Sequence, residues 1–415
     1  MIDFKQKKAS SIHYVLLSVL AAVIPSGFYN LEGIIVALLF ANWLFFVKGF
    51  KALNEIPKGT ILLFVFFALF LLGLVHTNNI SGQIKFIGRN ISYLLIPLSF
   101  IGVRLSNEMV SNIKKCFIFS LIACVLFANL YAIIDYFASG EIEIFLTPSV
   151  YNKFTYYGLT RVFKNWHPTY VSLFLNISLL FSFYEYYKKK KYIKWSLIGT
   201  ITIINIFLLN SFIGIIAFSV IFYLFIFQLL YKNIKLLLGT TVLIILIGGL
   251  LYMENPFHYP KIEKLKNTTI KITDKKEERN TINLRLAKWK TSIDVFMNAP
   301  LLGTSNGDYK NTLYDQYIEN DFLYCAEERY SSHNQFLYTL SANGIMGFTI
   351  IILILFSPLI RNRSKNIFKL FLIICSIFFI TEDILARQQG LVFFVFFYVL
   401  LSTTAKNVPL NESNE

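Results

Sequence analysis

Long apolar runs, separated by short polar segments, repeat along almost the whole chain. Each run has about 16–24 residues, the length that an α-helix needs to cross the hydrocarbon core of a bilayer. Twelve such runs occur, at residues 12–28, 31–47, 60–75, 86–103, 113–137, 168–187, 192–209, 211–231, 235–252, 335–359, 367–381 and 389–405. Other runs follow the first at once, which favours an uncleaved helix over a signal peptide. The pattern predicts an all-α integral membrane protein with about twelve transmembrane helices.

One polar segment, residues 253–333, is much longer than the others. It divides the chain into nine predicted transmembrane helices within 1–252, one large loop, and three further helices with a short tail within 334–415. Four apolar residues of the loop recur at helical spacing: Leu286, Trp289, Ile293 and Phe296. This spacing predicts an amphipathic helix that lies on the membrane or caps the helix bundle.

The composition agrees with a membrane protein, and the charge indicates its orientation. Hydrophobic residues make up 55% of the chain and charged residues only 15%, and the mean hydropathy is +0.57. The net charge is +15, but its lysines and arginines cluster in alternate loops, as the positive-inside rule requires of cytoplasmic loops. We therefore predict that both termini are cytoplasmic, that 138–167 and 253–333 lie outside, and that nucleic acid is not a partner.

His333 is the candidate general base. It lies where the long loop meets the tenth apolar run. Ser332, followed three residues later by Gln335, matches a capping box, which predicts His333 and Asn334 in the first turn of the tenth helix. An imidazole at a helix mouth open to solvent can accept a proton from a hydroxyl nucleophile. A histidine that only satisfies a hydrogen bond at the membrane boundary is an equally open interpretation.

Several basic residues are candidates for binding an anion. Arg285 and Lys288 lie on one face at the start of the amphipathic helix, where free backbone N–H groups and fixed positive charge attract anions. A solvated basic face is the simpler alternative. Arg161 precedes the sixth apolar run and is a further candidate. Arg89 is predicted near the outer end of the fourth run, where an arginine is costly unless it reaches the interface or an anion.

The other polar residues at predicted outer ends carry less information. His167, which precedes Pro168, is either functional or a helix-boundary residue. Glu382 and Arg387 lie between the last two runs, in a short outer turn or facing a cavity. No cysteine and histidine cluster has metal-ligand spacing, so neither a metal nor another cofactor is predicted.

The segment RLAKWKTSIDVFMNAPLLGTSNGDY and the later SSHNQFLYTLSANGIMGF resemble the bacterial O-antigen ligase and polymerase superfamily. The shared features are an Arg with a Trp four residues on, a Pro-x-x-Gly turn, and His-Asn-x-x-Leu leading to Gly-x-x-Gly. Here they are Arg285, Trp289, Pro300 with Gly303, His333 with Asn334 and Leu337, and Gly344 with Gly347. Two positions depart: Asn343 stands where the family often has an acidic residue, and Phe212 follows Ser211 where it often has arginine.

The resemblance implies a metal-independent membrane glycosyltransferase with a GT-C-like fold in the bacterial inner membrane. It implies an undecaprenyl-diphosphate-linked glycan as donor and a glycan or lipid-core hydroxyl as acceptor, with the active site outside. In this interpretation His333 and Arg285 are catalytic. The donor diphosphate is bound by Arg161, Arg285, Lys288 and Arg89.

Three functions remain open at the level of sequence. The outer basic residues suffice for two anionic lipids, which favours a repeat-unit polymerase over an O-antigen ligase by a narrow margin. A flippase or secondary transporter is the alternative of another class. Such a carrier should show charges or broken helices at the bilayer midplane and repeated halves, whereas the charges here cluster at the outer ends.

Overall fold

The computed structural model describes residues 2–47, 56, 58–138, 154–163, 166–230, 232–236, 238, 239, 242, 269–360 and 366–403. Throughout these ranges the regular structure is helical, with no strand. The described part of the chain is therefore all-helical, as predicted.

Before the large loop, the described residues form ten helices. They are α1 (Ile2–Val23), α2 (Tyr29–Asn42), α3 (Lys58–His76), α4 (Ile80–Arg89), α5 (Ser92–Phe100), α6 (Asn107–Ala138), α7 (Tyr156–Thr160), α8 (Pro168–Ser182), α9 (Tyr192–Leu208) and α10 (Phe212–Leu230). Short π-helical turns extend α2 to Val47 and α8 to Tyr187.

Six further helices occur in the described parts of residues 253–415. The described part of the loop contains α11 (Thr281–Asn298), α12 (Tyr309–Glu319) and α13 (Leu323–Glu327), and the chain continues with α14 (Gln335–Ile360), α15 (Asn366–Phe379) and α16 (Gln388–Thr403). A 3-10 turn at Ile384–Ala386 connects the last two helices.

Among the described residues, four segments are long and apolar enough to cross a membrane: Tyr29–Val47, Gly59–His76, Asn107–Ala138 and Gln335–Ile360. Shorter apolar helices occur at Ser11–Ser26, Tyr192–Leu208, Phe212–Phe227, Asn366–Phe379 and Gln388–Thr403. Most of the predicted ninth run, 235–252, lies outside the described residues. The number of twelve crossings and the three-part division of the chain stay predictions.

The predicted fourth run, 86–103, is wrong as a single helix. The structure has two helices, α4 and α5, because the chain leaves helical geometry at Asn90, which has φ −100° and ψ 9°. The Asn90 side chain donates to the carbonyl of Phe86 at 2.9 Å, a local side-chain bond that competes with helix propagation. Arg89 therefore ends the short helix α4, where it is exposed.

Helix α8 forms the centre of the bundle. All fifteen residues from Pro168 to Ser182 are buried, as expected for a helix without a solvent or lipid face. It packs against α6, α9, α10 and α15. Asn176 donates to the carbonyl of Gly214 on α10 at 3.2 Å, so even its polar positions serve helix contacts. The packing on all sides of α8 holds its N-terminus in place, and this N-terminus lies next to the candidate site.

The loop helices have a small hydrophobic core of their own, which includes one residue of α14. It consists of Ala287, Val295, Tyr309, Leu313, Tyr317, Phe322, Cys325 and Ala342. The buried face of α11 carries small residues such as Ala287 and Thr291, which let α11 approach α14 closely. The predicted amphipathic helix exists, but its large apolar residues are not the ones that face this core.

Close backbone contacts at Gly303 and Gly344 attach the loop to α14. Helix α14 is kinked at Gly344, which has φ 62° and ψ −165°, and the amide of Ile345 donates to the carbonyl of Pro300 at 2.9 Å. A Cβ on Gly344 would lie 2.2 Å from the Leu301 oxygen, and one on Gly303, at φ +70°, would lie 2.4 Å from the carbonyl carbon of Ala342. Only glycine fits at either position, so the Pro-x-x-Gly turn and the Gly344 kink form one joint.

Candidate active site

His333 lies immediately before α14, and not in its first turn as the sequence predicted. Asn334 is the N-cap, because its Oδ1 accepts from the amides of Phe336 at 3.0 Å and Leu337 at 3.1 Å. The predicted capping box of Ser332 and Gln335 is wrong. His333 has φ +46°, an uncommon backbone region for a residue other than glycine and one that clusters at functional sites.

The turn between α15 and α16 holds the chain around His333. One oxygen of Asp383 accepts from the hydroxyl of Ser332 at 2.9 Å and from the amide of Asn334 at 2.7 Å. The amide of Leu385 donates to Oε1 of Gln335 at 2.7 Å. The partners that the capping box assigned to Ser332 and Gln335 are thus replaced by residues about 50 positions away in sequence. A motif of neighbouring residues could not reveal that distant residues compete for these side chains.

Glu382 orients the imidazole of His333. Its Oε2 lies 3.3 Å from Nδ1 of His333, and its side chain is only 7% exposed. Because a carboxylate only accepts, Nδ1 carries the proton and Nε2 is the acceptor. Burial raises the pKa of Glu382, but the hydrogen bond and charge of His333 outweigh it and lower the pKa below its usual value. The geometry suits an imidazole that takes a proton at Nε2.

His167 and Arg387 complete this side of the site. Both lower the pKa of Glu382 through their charge. Nδ1 of His167 accepts from the amide of Thr169 at 3.3 Å, which caps α8, and burial lowers the pKa of His167. The Arg387 guanidinium lies 5.7 Å from the centroid of the Tyr170 ring. The sequence left both residues undecided: His167 is brought near Glu382 only by packing between distant helices, and Arg387 lies in the same turn as Glu382.

Arg285 and Lys288 approach the same carboxylate from α11. Burial lowers the pKa of both, that of Lys288 to about 8, and the negative charge of Glu382 opposes the shift in each. Nζ of Lys288 lies 4.3 Å from the centroid of the Tyr330 ring, and that ring packs edge-on against His333 at 6.1 Å. Within the described ranges, neither cation has an acidic partner at salt-bridge distance. Lys288 is 7% exposed, so its charge lies within the protein beside Tyr330.

The other two predicted anion-binding residues lie elsewhere. Arg161 forms an ion pair with Asp135 at the end of α6, and its guanidinium lies 5.6 Å from the Tyr131 ring centroid. Arg89 ends α4. Neither arginine is in contact with His333 among the described residues. Across the described part of the chain, no group of three or more His, Cys, Asp or Glu side chains could hold a metal ion.

Comparison with known proteins identifies the region that carries this site. Residues 197–352 match a family model described as O-antigen ligase. The predicted superfamily resemblance is confirmed. An uncharacterized protein of Haemophilus influenzae is 25% identical over 230 residues, which cover 51% of this chain and 57% of that protein. The chain thus matches little more than half the length of this curated relative.

The O-antigen ligase match includes α11, the Gly344 joint and His333, but ends before Glu382. The two departures from the superfamily pattern have simple structural consequences. Asn343 accepts a hydrogen bond from the Asn306 side chain at 2.8 Å, so it helps to join the loop to α14. Phe212 is 75% exposed at the start of α10. That helix start therefore contributes no charge at the position where the superfamily often has arginine.

Proposed function

We propose that this protein transfers a glycan from an undecaprenyl-diphosphate-linked donor to a sugar hydroxyl, at the outer face of the bacterial inner membrane. The observation that carries the proposal is the His333–Glu382 pair beside Arg285 and Lys288, two cations without acidic partners in the described structure. A general base and an anion site must adjoin in an enzyme that activates a hydroxyl and expels a diphosphate.

In the proposed reaction the acceptor hydroxyl attacks the anomeric carbon of the donor sugar. The new glycosidic C–O bond forms as the bond between that carbon and the diphosphate oxygen breaks. The hydroxyl proton passes to Nε2 of His333, while Glu382 stabilises the resulting imidazolium. The leaving diphosphate keeps the electron pair, and Arg285 and Lys288 stabilise its charge. In this proposal Arg161 contributes less to diphosphate binding, because it pairs with Asp135. Arg89 is a further candidate for diphosphate binding.

The acceptor distinguishes two candidate enzymes. We favour a polymerase of surface-polysaccharide repeat units, because the outer basic residues suffice for two diphosphate lipids. The second candidate is an O-antigen ligase that joins the glycan to a lipid core, and the description of the matching family favours it.

Deletion of the gene, followed by complementation, tests both the reaction and the acceptor. A polymerase null should leave surface glycan of a single repeat unit. A ligase null should leave none and accumulate long lipid-linked chains, an outcome that would overturn the polymerase assignment and retain the transferase. Loss of surface glycan without any lipid-linked chain on the outer side would instead indicate a transporter.

His333→Ala should fail to complement the deletion although the protein accumulates in the membrane. Loss of a general base lowers the rate by about 100- to 10,000-fold. His76→Ala is the matched control, because His76 is an exposed histidine at the end of α3 and should complement fully. If cells with His333→Ala made glycan of normal length at the same protein level as wild type, His333 would not be the general base and would only occupy the helix boundary.

A further inference from the structure

Helix α11 has an apolar surface that none of the described helices covers. Its buried side is turned toward the loop core and α14. The large apolar residues lie on the other side, and we call them the outer stripe: Leu286, Trp289, Ile293, Phe296 and Met297. Ile293 is 45% exposed and Met297 67% exposed. Leu286, Trp289 and Phe296 are partly exposed. An exposed apolar row on a helix that is already anchored indicates a second contact surface.

The outer stripe continues directly into the surface of a candidate membrane span. Leu301, 63% exposed, follows Met297 at the end of α11. The amide of Met346 donates to the carbonyl of Leu301 at 3.4 Å, and the side chains of Ile345 and Met346 are also exposed. These two residues belong to the span Gln335–Ile360. Exposed apolar side chains therefore follow one another from the stripe through Leu301 to Ile345 and Met346 on α14.

We propose that the outer stripe of α11 is inserted among the lipid acyl chains of the outer leaflet. The continuity with α14 identifies the bilayer as the occupant, because a second protein there would also have to displace lipid from the span. The edges of the stripe agree with an interfacial helix, since Lys290 is exposed beside it and paired with Asp294 at 2.7 Å. A lysine at the edge of an exposed apolar row is typical of helices that lie in a membrane interface.

Insertion fixes the depth of the proposed active site. Arg285 lies on the same helix, twelve positions or about 18 Å before Met297. An α11 that lies parallel to the membrane surface along its whole stripe holds the Arg285 guanidinium at the level of the lipid headgroups, where the diphosphate of a membrane lipid also lies. This consequence rests on the proposed function, whereas the insertion of the stripe does not.

Depth-dependent fluorescence quenching of the full chain in phospholipid vesicles tests the proposal. All four native cysteines, Cys116, Cys124, Cys325 and Cys375, are replaced, and a single cysteine at Met297 carries an environment-sensitive fluorophore. Lipids with a nitroxide on the acyl chain should quench this fluorophore several-fold more than aqueous iodide does. Asn298→Cys and Lys310→Cys are controls at exposed polar positions and should show the reverse order.

A Met297 fluorophore that iodide quenches as strongly as the Lys310 control would overturn the proposal. Protection from both quenchers would also overturn it, because the stripe would then be covered by protein. An added Ile293→Lys change should shift the Met297 fluorophore from lipid to iodide quenching, since a lysine within the stripe opposes insertion. None of these readouts requires glycan transfer, so failure of the proposed function leaves the result interpretable.

Discussion

At the scale of single residues, Glu382 is the point on which the charges of the site converge. It bonds His333 directly, and its charge acts on Arg285, Lys288 and His167. An ionised carboxylate in this position both orients the imidazole and stabilises the imidazolium that forms when the acceptor loses its proton. The low pKa of Glu382 keeps this charge in place at neutral pH.

Glu382→Gln should therefore slow transfer by at least about 10-fold. The decrease should not exceed the roughly 10,000-fold that loss of the general base itself would cause. The amide keeps the shape but not the charge, so the imidazolium is less stable and the acid limb of the pH–rate profile should move to lower pH. Rates measured from pH 5 to 9 in isolated membranes check this. Glu327→Gln, an exposed control on α13, should leave the profile unchanged. A slower rate with an unmoved profile would show that Glu382 is only structural.

Lys288 should make donor binding dependent on pH on the alkaline side. Burial lowers its pKa to about 8, so the ammonium is present below that pH and is lost as the pH rises through it. The KM for the donor should consequently rise above about pH 8. Lys288→Arg keeps its charge throughout this range and should flatten the dependence. An equally steep rise of KM in Lys288→Arg would exclude Lys288 as its source.

At the scale of elements, the joint between the 300–303 turn and the α14 kink sets the position of α11 relative to His333. Gly344→Ala and Gly303→Ala should each destabilise the protein, because a side chain at positive φ costs about 1–3 kcal/mol and the new Cβ would also meet backbone at 2.2–2.4 Å. Thermal unfolding in detergent should show a lower Tm for both. Gly199→Ala, with nothing within 4 Å of its Cβ, should not lower the Tm.

The same scale shows what the sequence could predict. Apolar runs predicted the helices α6, α8 and α14 because a bilayer requires long apolar helices whatever packs beside them. The helix start at Asn334 could not be predicted, because Asp383 takes the Ser332 hydroxyl that the local motif would have used. Local patterns singled out His333, Arg285 and Lys288 as candidates, whereas the contact of Glu382 with His333 arises between two distant turns.

At the scale of the whole molecule, α8 runs between two ends of the helix bundle that differ in how their charged residues are paired. Its first residue, Pro168, follows His167 beside the candidate site. At its other end Glu185 forms ion pairs with Lys114 and Lys189. About 18 residues at 1.5 Å per residue separate the two ends, nearly the thickness of a bilayer core. The lysines at the Glu185 end form ion pairs within the protein, whereas Arg285 and Lys288 at the site end have no acidic partner at salt-bridge distance among the described residues.

This polarity leads to a prediction of topology that places the site outside the cytoplasm. In a background without native cysteines, Lys310→Cys on α12 and Lys194→Cys on α9 provide two exposed positions on opposite sides of the predicted membrane. A thiol reagent that cannot cross membranes should label Lys310→Cys in intact cells and Lys194→Cys only after lysis, because the lysine cluster around Lys194 follows the positive-inside rule. Equal labelling of both after lysis is the control for reactivity. Labelling of Lys194→Cys alone in intact cells would invert the topology and separate His333 from a donor displayed on the outer face.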